Sequence, residues 1–133
     1  MTVTVDDLLA RARRRIRRVG PRELEGVLEG GGLVIDIRPA AQRAQEGELP
    51  GALVVERNVL EWRLDPNGDH RLPQVTSRDQ PIVIVCSAGY ASSLAAASVT
   101  DLGYTWIADL AGGYQAWRSW FAALRSLEGS VGR

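Results

Sequence analysis

Apolar and polar positions along the chain alternate between two patterns. Short runs apolar on both faces, Leu33-Val34-Ile35-Asp36-Ile37, Leu53-Val54-Val55, Pro81-Ile82-Val83-Ile84-Val85 and Trp106-Ile107-Ala108-Asp109-Leu110, read as strands of a covered parallel sheet. Stretches with apolar residues three and four apart read as helices. Residues 5–18 carry Leu8, Leu9, Ala12 and Ile16 on one face, with Asp6 and Asp7 in the first turn and Arg17 and Arg18 near the end, as the helix dipole favours. Residues 21–29 place Leu24, Val27 and Leu28 together and stop at Gly30-Gly31-Gly32. Further helices are predicted over 40–46, for one or two turns over 58–63, and over 92–102 up to Gly103. After Gly112-Gly113 a last helix carries Trp117, Trp120, Phe121 and Leu124 at core spacing. Residues 65–80 are polar, hold two prolines and lack a period, so they read as loop. Strands alternating with helices predict an α/β domain: a central, mostly parallel sheet with helices on both faces and right-handed crossovers.

A length of 133 residues suits one core. The expected organisation is a basic helical extension over residues 1–20 and one domain over 21–133. The 16 basic residues, all arginine, balance 16 acidic ones. No net field attracts nucleic acid, and a catalytic lysine is excluded. Arg11, Arg13, Arg14, Arg15, Arg17 and Arg18 form a cluster that reads as a solvated helix face, because no aromatics interleave them. No run is long and apolar enough for a membrane span. Without a secretory pattern at the N-terminus, a cytoplasmic location is expected. No nucleic-acid or membrane partner is expected. One cysteine and one histidine provide neither a disulfide nor a metal cluster, so no metal or cofactor is expected either. His70 lies in the polar stretch Asp65-Pro66-Asn67-Gly68-Asp69-His70 and reads as a solvated loop residue.

The chemistry concentrates at Cys86. A strand delivers it to the short stretch Ser87-Ala88-Gly89-Tyr90-Ala91, and a helix starts at once with Ser92-Ser93. Converging backbone N–H groups and a positive helix end favour a thiolate, the reactive form. A buried cysteine acting as a small hydrophobe is the alternative reading, but that role requires no hydroxyl-rich glycine loop. Asp36, Cys86 and Asp109 all fall at or near the C-terminal edge of a parallel sheet, where open α/β sheets bind ligands.

Four segments in order give the chain a family likeness: Ile35-Asp36-Ile37-Arg38, Gly47-Glu48-Leu49-Pro50-Gly51-Ala52, Cys86-Ser87-Ala88-Gly89-Tyr90-Ala91-Ser92 and Leu110-Ala111-Gly112-Gly113-Tyr114-Gln115-Ala116-Trp117. From about residue 21 to about 122 the chain resembles the rhodanese-like sulfurtransferases. The resemblance implies a parallel sheet covered on both sides. It also implies a Cys86 persulfide that takes a sulfane sulfur from a small-molecule donor and passes it to a thiol, a cyanide-like nucleophile or a protein sulfur acceptor. Ser87, Ala88, Gly89, Tyr90, Ala91 and Ser92 would then cradle the substrate, with Asp36 supporting the loop. Two positions depart from the family pattern: Glu48 stands where a histidine is frequent, and Ala91 where many relatives carry arginine. Arg57 or Arg63 could supply the missing cation, and Arg38 is expected to pair with Glu46. Non-enzymatic sulfur carriage or sensing is the alternative within the same family. Cysteine phosphatases and arsenate reductases share the cysteine loop but clamp their oxyanion with an arginine, and none lies between Cys86 and Leu94.

Overall fold

The computed structural model describes residues 2–131. Its strands are β1 Arg17–Val19, β2 Leu33–Asp36, β3 Leu53–Val54, β4 Ile82–Val85 and β5 Ile107–Leu110. Its helices are α1 Val5–Arg14, α2 Pro21–Glu29, α3 Ala40–Glu46, α4 Leu60–Leu64, α5 Ala91–Thr100 and α6 Gly113–Val131. All five strands run parallel in the order β1-β5-β4-β2-β3. The mixed α/β class and parallel sheet are those of the expected fold. The ends of the expected division, residues 1, 132 and 133, lie outside the described residues.

Every residue of β4 is buried, as a central strand covered on both sides requires. The side chains alternate between two cores. Ile35, Ile82, Ile84 and Ile107 pack with Leu60, Leu64, Ala95, Ala96 and Val99 on the α4–α5 face. Val34, Val83, Val85, Ala108 and Leu110 pack with Leu24, Tyr114 and Trp117 on the α2–α6 face. Trp117 is thus a core residue, stacked on Phe121 with ring centroids 4.9 Å apart. No helix among the described residues is long and apolar enough to cross a membrane.

One expected element changes type. The helix predicted over residues 5–18 ends at Arg14, and residues 17–19 form β1, pairing Arg17 with Ala108, Arg18 with Asp109 and Val19 with Leu110. Arginine is a good helix former, so the run contains no break signal. Pairing with the otherwise open edge of β5 overrides that propensity. It buries Val19 among the α2–α6 core residues and lays Ile16 against the opposite core. The start of α1 follows its sequence signal: Thr4 and Asp7 form a reciprocal capping box.

Candidate active site

Cys86 leaves the C-terminal end of β4 with its sulfur at the N-terminus of α5. The Gly89 N–H donates to Sγ at 3.2 Å and the Ser92 N–H at 3.3 Å. The residue is 8% exposed, and its sulfur is held by backbone donors. Residues 87–90 turn through Gly89 at φ +87°, where a side chain would be strained and its Cβ would lie 2.7 Å from the Gly112 nitrogen. The start of α6 closes on the loop from the other side. Tyr114 N–H donates to the Cys86 carbonyl at 2.8 Å, and Gln115 N–H donates to that of Ser87 at 3.1 Å. Gly113, at φ +64°, allows this approach: a Cβ there would fall 2.5 Å from the Ser87 backbone. Two helix N-termini therefore meet at one loop, α5 facing the sulfur and α6 binding the carbonyls.

One flank of the loop is held by a buried chain of polar groups. Asp36, 1% exposed, accepts from Arg38 Nη2 at 2.7 Å and from its Nε and backbone N–H. Arg38, 2% exposed, donates onward to Glu46 at 3.1 Å and to the Gly47 carbonyl at 2.9 Å, and lies over the Tyr114 ring. Glu46 accepts from Ser87 Oγ at 2.6 Å, and Gln115 Nε2 donates to that same hydroxyl at 2.9 Å. Burial alone would lower the Arg38 pKa, but the hydrogen bond and charge of Asp36, followed by those of Glu46, raise it. The Ser87 hydrogen bond holds the Glu46 carboxyl below its ordinary range; burial opposes this and Arg38 assists it. Asp36 thus acts on the loop at a distance, through Arg38, Glu46 and Ser87.

The other flank rests on Asp109, which is fully buried. It accepts from Ser92 Oγ at 2.9 Å, Ser93 Oγ at 2.7 Å, and Arg18 Nε and Nη2 at 3.0 and 3.2 Å. Arg18 also donates to the Gly89 carbonyl at 2.8 Å, as does Arg13 at 3.0 Å. The solvated-face reading of the arginine cluster is therefore wrong for these two residues, and Arg15 pairs with Asp101 at 2.6 Å. The signal that could have identified a partner was present: a carboxylate inside an apolar strand, facing Ser92-Ser93, needs a cation.

The remaining expected residues fall as follows. The Ser87 and Ser92 hydroxyls are directed to Glu46 and Asp109, and only the backbone N–H of Ser92 meets the sulfur. Ala88, Tyr90 and Ala91 are exposed, and the Arg13 guanidinium lies 5.7 Å from the Tyr90 ring centroid. Arg57 pairs with Glu61 at 3.0 Å and reaches Ser98, while lining a cleft of about 350 Å³ with Arg38, Glu56 and Asn58 at the ends of β2 and β3. Arg63 donates to the His70 carbonyl at 2.7 Å. Neither arginine hydrogen-bonds to the cysteine loop. Among the described residues no group of three or more His, Cys, Asp and Glu side chains is placed to hold a metal ion.

Known proteins resemble this chain in sequence and fold. The model of the Rhodanese-like domain matches residues 20–119. The thiosulfate sulfurtransferase GlpE of Pseudomonas fluorescens is 30% identical over 105 residues, which are 79% of this chain and 87% of that protein. The adenylyltransferase and sulfurtransferase UBA4 of Candida albicans is 31% identical over 102 residues, 75% of this chain but only 23% of that longer protein. Among solved structures, the Rhodopseudomonas palustris protein RPA3614, described as of unknown function and a possible tyrosine phosphatase, superposes with a TM-score of 0.78 at 26% identity. That match covers 90% of this chain and 92% of that one.

Proposed function

The chain belongs to the rhodanese-like domain family, and from that membership and the geometry around Cys86 we propose that it is a sulfurtransferase working through a Cys86 persulfide. In the first step the thiolate attacks the sulfane sulfur of a donor such as thiosulfate. The donor's S–S bond breaks, sulfite leaves with the bonding pair, and Cys86 carries the sulfur as a persulfide anion. In the second, a nucleophilic acceptor attacks the outer sulfur, and Cys86 departs as thiolate. An acceptor thiol would itself become a persulfide, and cyanide would become thiocyanate.

The observation that carries this reading is the pair of N–H donors on Sγ at the start of a helix. A sulfur anion is a single small charge, which inward backbone N–H groups can satisfy without a cationic side chain. A phosphoryl or arsenyl group has several charged oxygens and calls for a bidentate guanidinium. Among the described residues no arginine side chain donates to the Cys86 sulfur, and Arg13 and Arg18 are occupied with a carbonyl and a carboxylate. The test is intact mass after incubation with thiosulfate or a glutathione persulfide. The expected result is a gain of one sulfur atom, removed by a reducing thiol and absent in Cys86→Ser. Hydrolysis of an aryl phosphate with no sulfur uptake from any donor would replace this reading with the phosphatase one.

A further inference from the structure

The segment ahead of the family match, α1 and β1, lies outside residues 20–119, yet two of its side chains end on the cysteine loop. Arg13 donates from Nη2 to the Gly89 carbonyl and from Nε to Ser93 Oγ at 3.0 Å. Arg18 makes a forked pair with Asp109 and extends Nη2 to the same Gly89 carbonyl. One backbone oxygen in the middle of the loop therefore takes two charge-assisted hydrogen bonds, with the Ser93 hydroxyl a third, longer donor at 3.4 Å.

This arrangement orients the loop's peptide planes. A trans peptide is planar, with its C=O and N–H pointing opposite ways. Pulling the Gly89 carbonyl toward the β1 edge turns the Tyr90 N–H away from the arginines. The grip fixes the peptide plane that follows Gly89, a residue at positive φ whose own N–H reaches Sγ. Asp109 does the same for the helix start: by taking both the Ser92 and Ser93 hydroxyls it fixes the first turn of α5, whose Ser92 N–H is the second donor to sulfur. Both N–H donors thus trace back to one buried carboxylate and the two guanidiniums beside it.

We propose that the N-terminal arm is part of the catalytic apparatus: Arg13 and Arg18 are positioning residues that grip the Gly89 carbonyl from behind and so set the backbone N–H groups that hold the Cys86 sulfur. The proposal rests on Cys86 being the reacting sulfur of the function proposed above. The same arm provides an internal control. Arg15 joins the end of α1 to the end of α5 through an exposed pair with Asp101, whose side chains are 49% and 79% exposed, and it does not touch the loop. Changing Arg15 tests the docking of the arm alone.

The experiment measures the rate of Cys86 alkylation by iodoacetamide at neutral pH, with thermal midpoints and amide hydrogen exchange at Gly89 and Ser92, on the full chain. Arg18→Ala and Arg13→Ala are each expected to slow alkylation by about fivefold or more, the scale of losing a charge-assisted hydrogen bond. Exchange at Gly89 and Ser92 should accelerate while that of β4 stays slow. Arg18→Lys, which keeps one cationic nitrogen but loses the fork on Asp109, should recover part of the rate. Arg15→Ala should match the parent. Arg13→Ala keeps the test open if Arg18→Ala does not fold, since that substitution leaves the Arg18–Asp109 pair intact. Parent-like alkylation and loop exchange in a folded Arg13→Ala protein would overturn the proposal, as would an equal loss in Arg15→Ala. Iodoacetamide needs no sulfur donor, so failure of the transfer reaction and failure of this proposal are read separately.

Discussion

Ser87 Oγ donates to Glu46 at 2.6 Å across 41 positions of sequence, so the residue next to the nucleophile is tethered to the end of α3. This carboxyl sits below the ordinary glutamate value of 4.5, held there first by the Ser87 hydrogen bond and then by Arg38. The native state therefore binds the Glu46 proton less readily than the unfolded chain does. The stabilisation it provides is complete above pH 4.5 and is lost as pH falls through the lowered native value. Glu46→Gln should make the denaturant midpoint less sensitive to pH in that acid window and lower it at neutral pH. Urea titrations at pH 7 and pH 3.5 check this; parallel pH dependence in the two proteins would contradict it.

The buried Asp36–Arg38 pair and the exposed Arg15–Asp101 pair should separate sharply in stability. Asp36→Ala leaves the Arg38 guanidinium, 2% exposed, facing Glu46, the Gly47 carbonyl and the Tyr114 ring. Removing one partner of a buried pair costs about 3–5 kcal/mol. Arg15→Ala removes a solvent-screened pair worth about 0–1 kcal/mol. Guanidinium-chloride unfolding of both variants is the measurement, and the order of the two losses is the outcome at stake.

Gly113→Ala should be more damaging than its size suggests. The residue sits at φ +64°, and a Cβ there would approach the Cys86 and Ser87 carbonyl oxygens to 2.6 and 2.5 Å. The left-handed backbone alone costs a non-glycine residue about 1–2 kcal/mol, and the contact forces the cysteine loop off α6. The expected result is a protein that unfolds several degrees earlier and has lost most of its sulfur loading. Gly129→Ala, at an exposed helical position with nothing within 4 Å of the added methyl, should leave both unchanged.

These residues also mark where sequence reading succeeds and where it stops. β2, β4 and β5 were legible because parallel strands covered on both faces are apolar throughout, and the loop after β4 because a single cysteine stood before glycine, serines and a helix start. The expected pairing of Arg38 with Glu46 is a short-range matter, eight positions apart. Arg18 and Asp109 are 91 positions apart and Arg13 and Gly89 are 76, and no local period encodes such a meeting. An arginine-rich run with good helix propensity also hides a three-residue edge strand, which exists only because β5 offers an unpaired edge. Arg57 and Arg63 were expected to offer a pocket cation from a neighbouring segment; in the fold Arg57 pairs with Glu61 and Arg63 donates to the His70 carbonyl.

Donor choice can be tested at Ala91, the exposed first residue of α5, directly before the Ser92 N–H that meets the sulfur. Thiosulfate brings a sulfonate whose charge the two N–H groups on Sγ do not address. Arg13 and Arg18 of the arm are turned to Gly89 and Asp109, Arg57 pairs with Glu61 and Arg63 donates to the His70 carbonyl. Ala91→Arg adds a cation at the pocket mouth, where a charge-assisted contact contributes about 1–2 kcal/mol, or roughly a tenfold rise in kcat/KM for thiosulfate. The position is exposed, so the gain should shrink as salt is raised past the point where the screening length falls below about 10 Å. A glutathione persulfide, lacking the sulfonate, should gain much less. Steady-state kinetics with both donors at low and high ionic strength measure the effect. A folded Ala91→Arg protein that gains nothing with thiosulfate would mean that the sulfonate docks elsewhere. Arg57→Ala then decides whether the cleft at the ends of β2 and β3 is that place, since thiosulfate turnover should collapse if it is and hold if it is not.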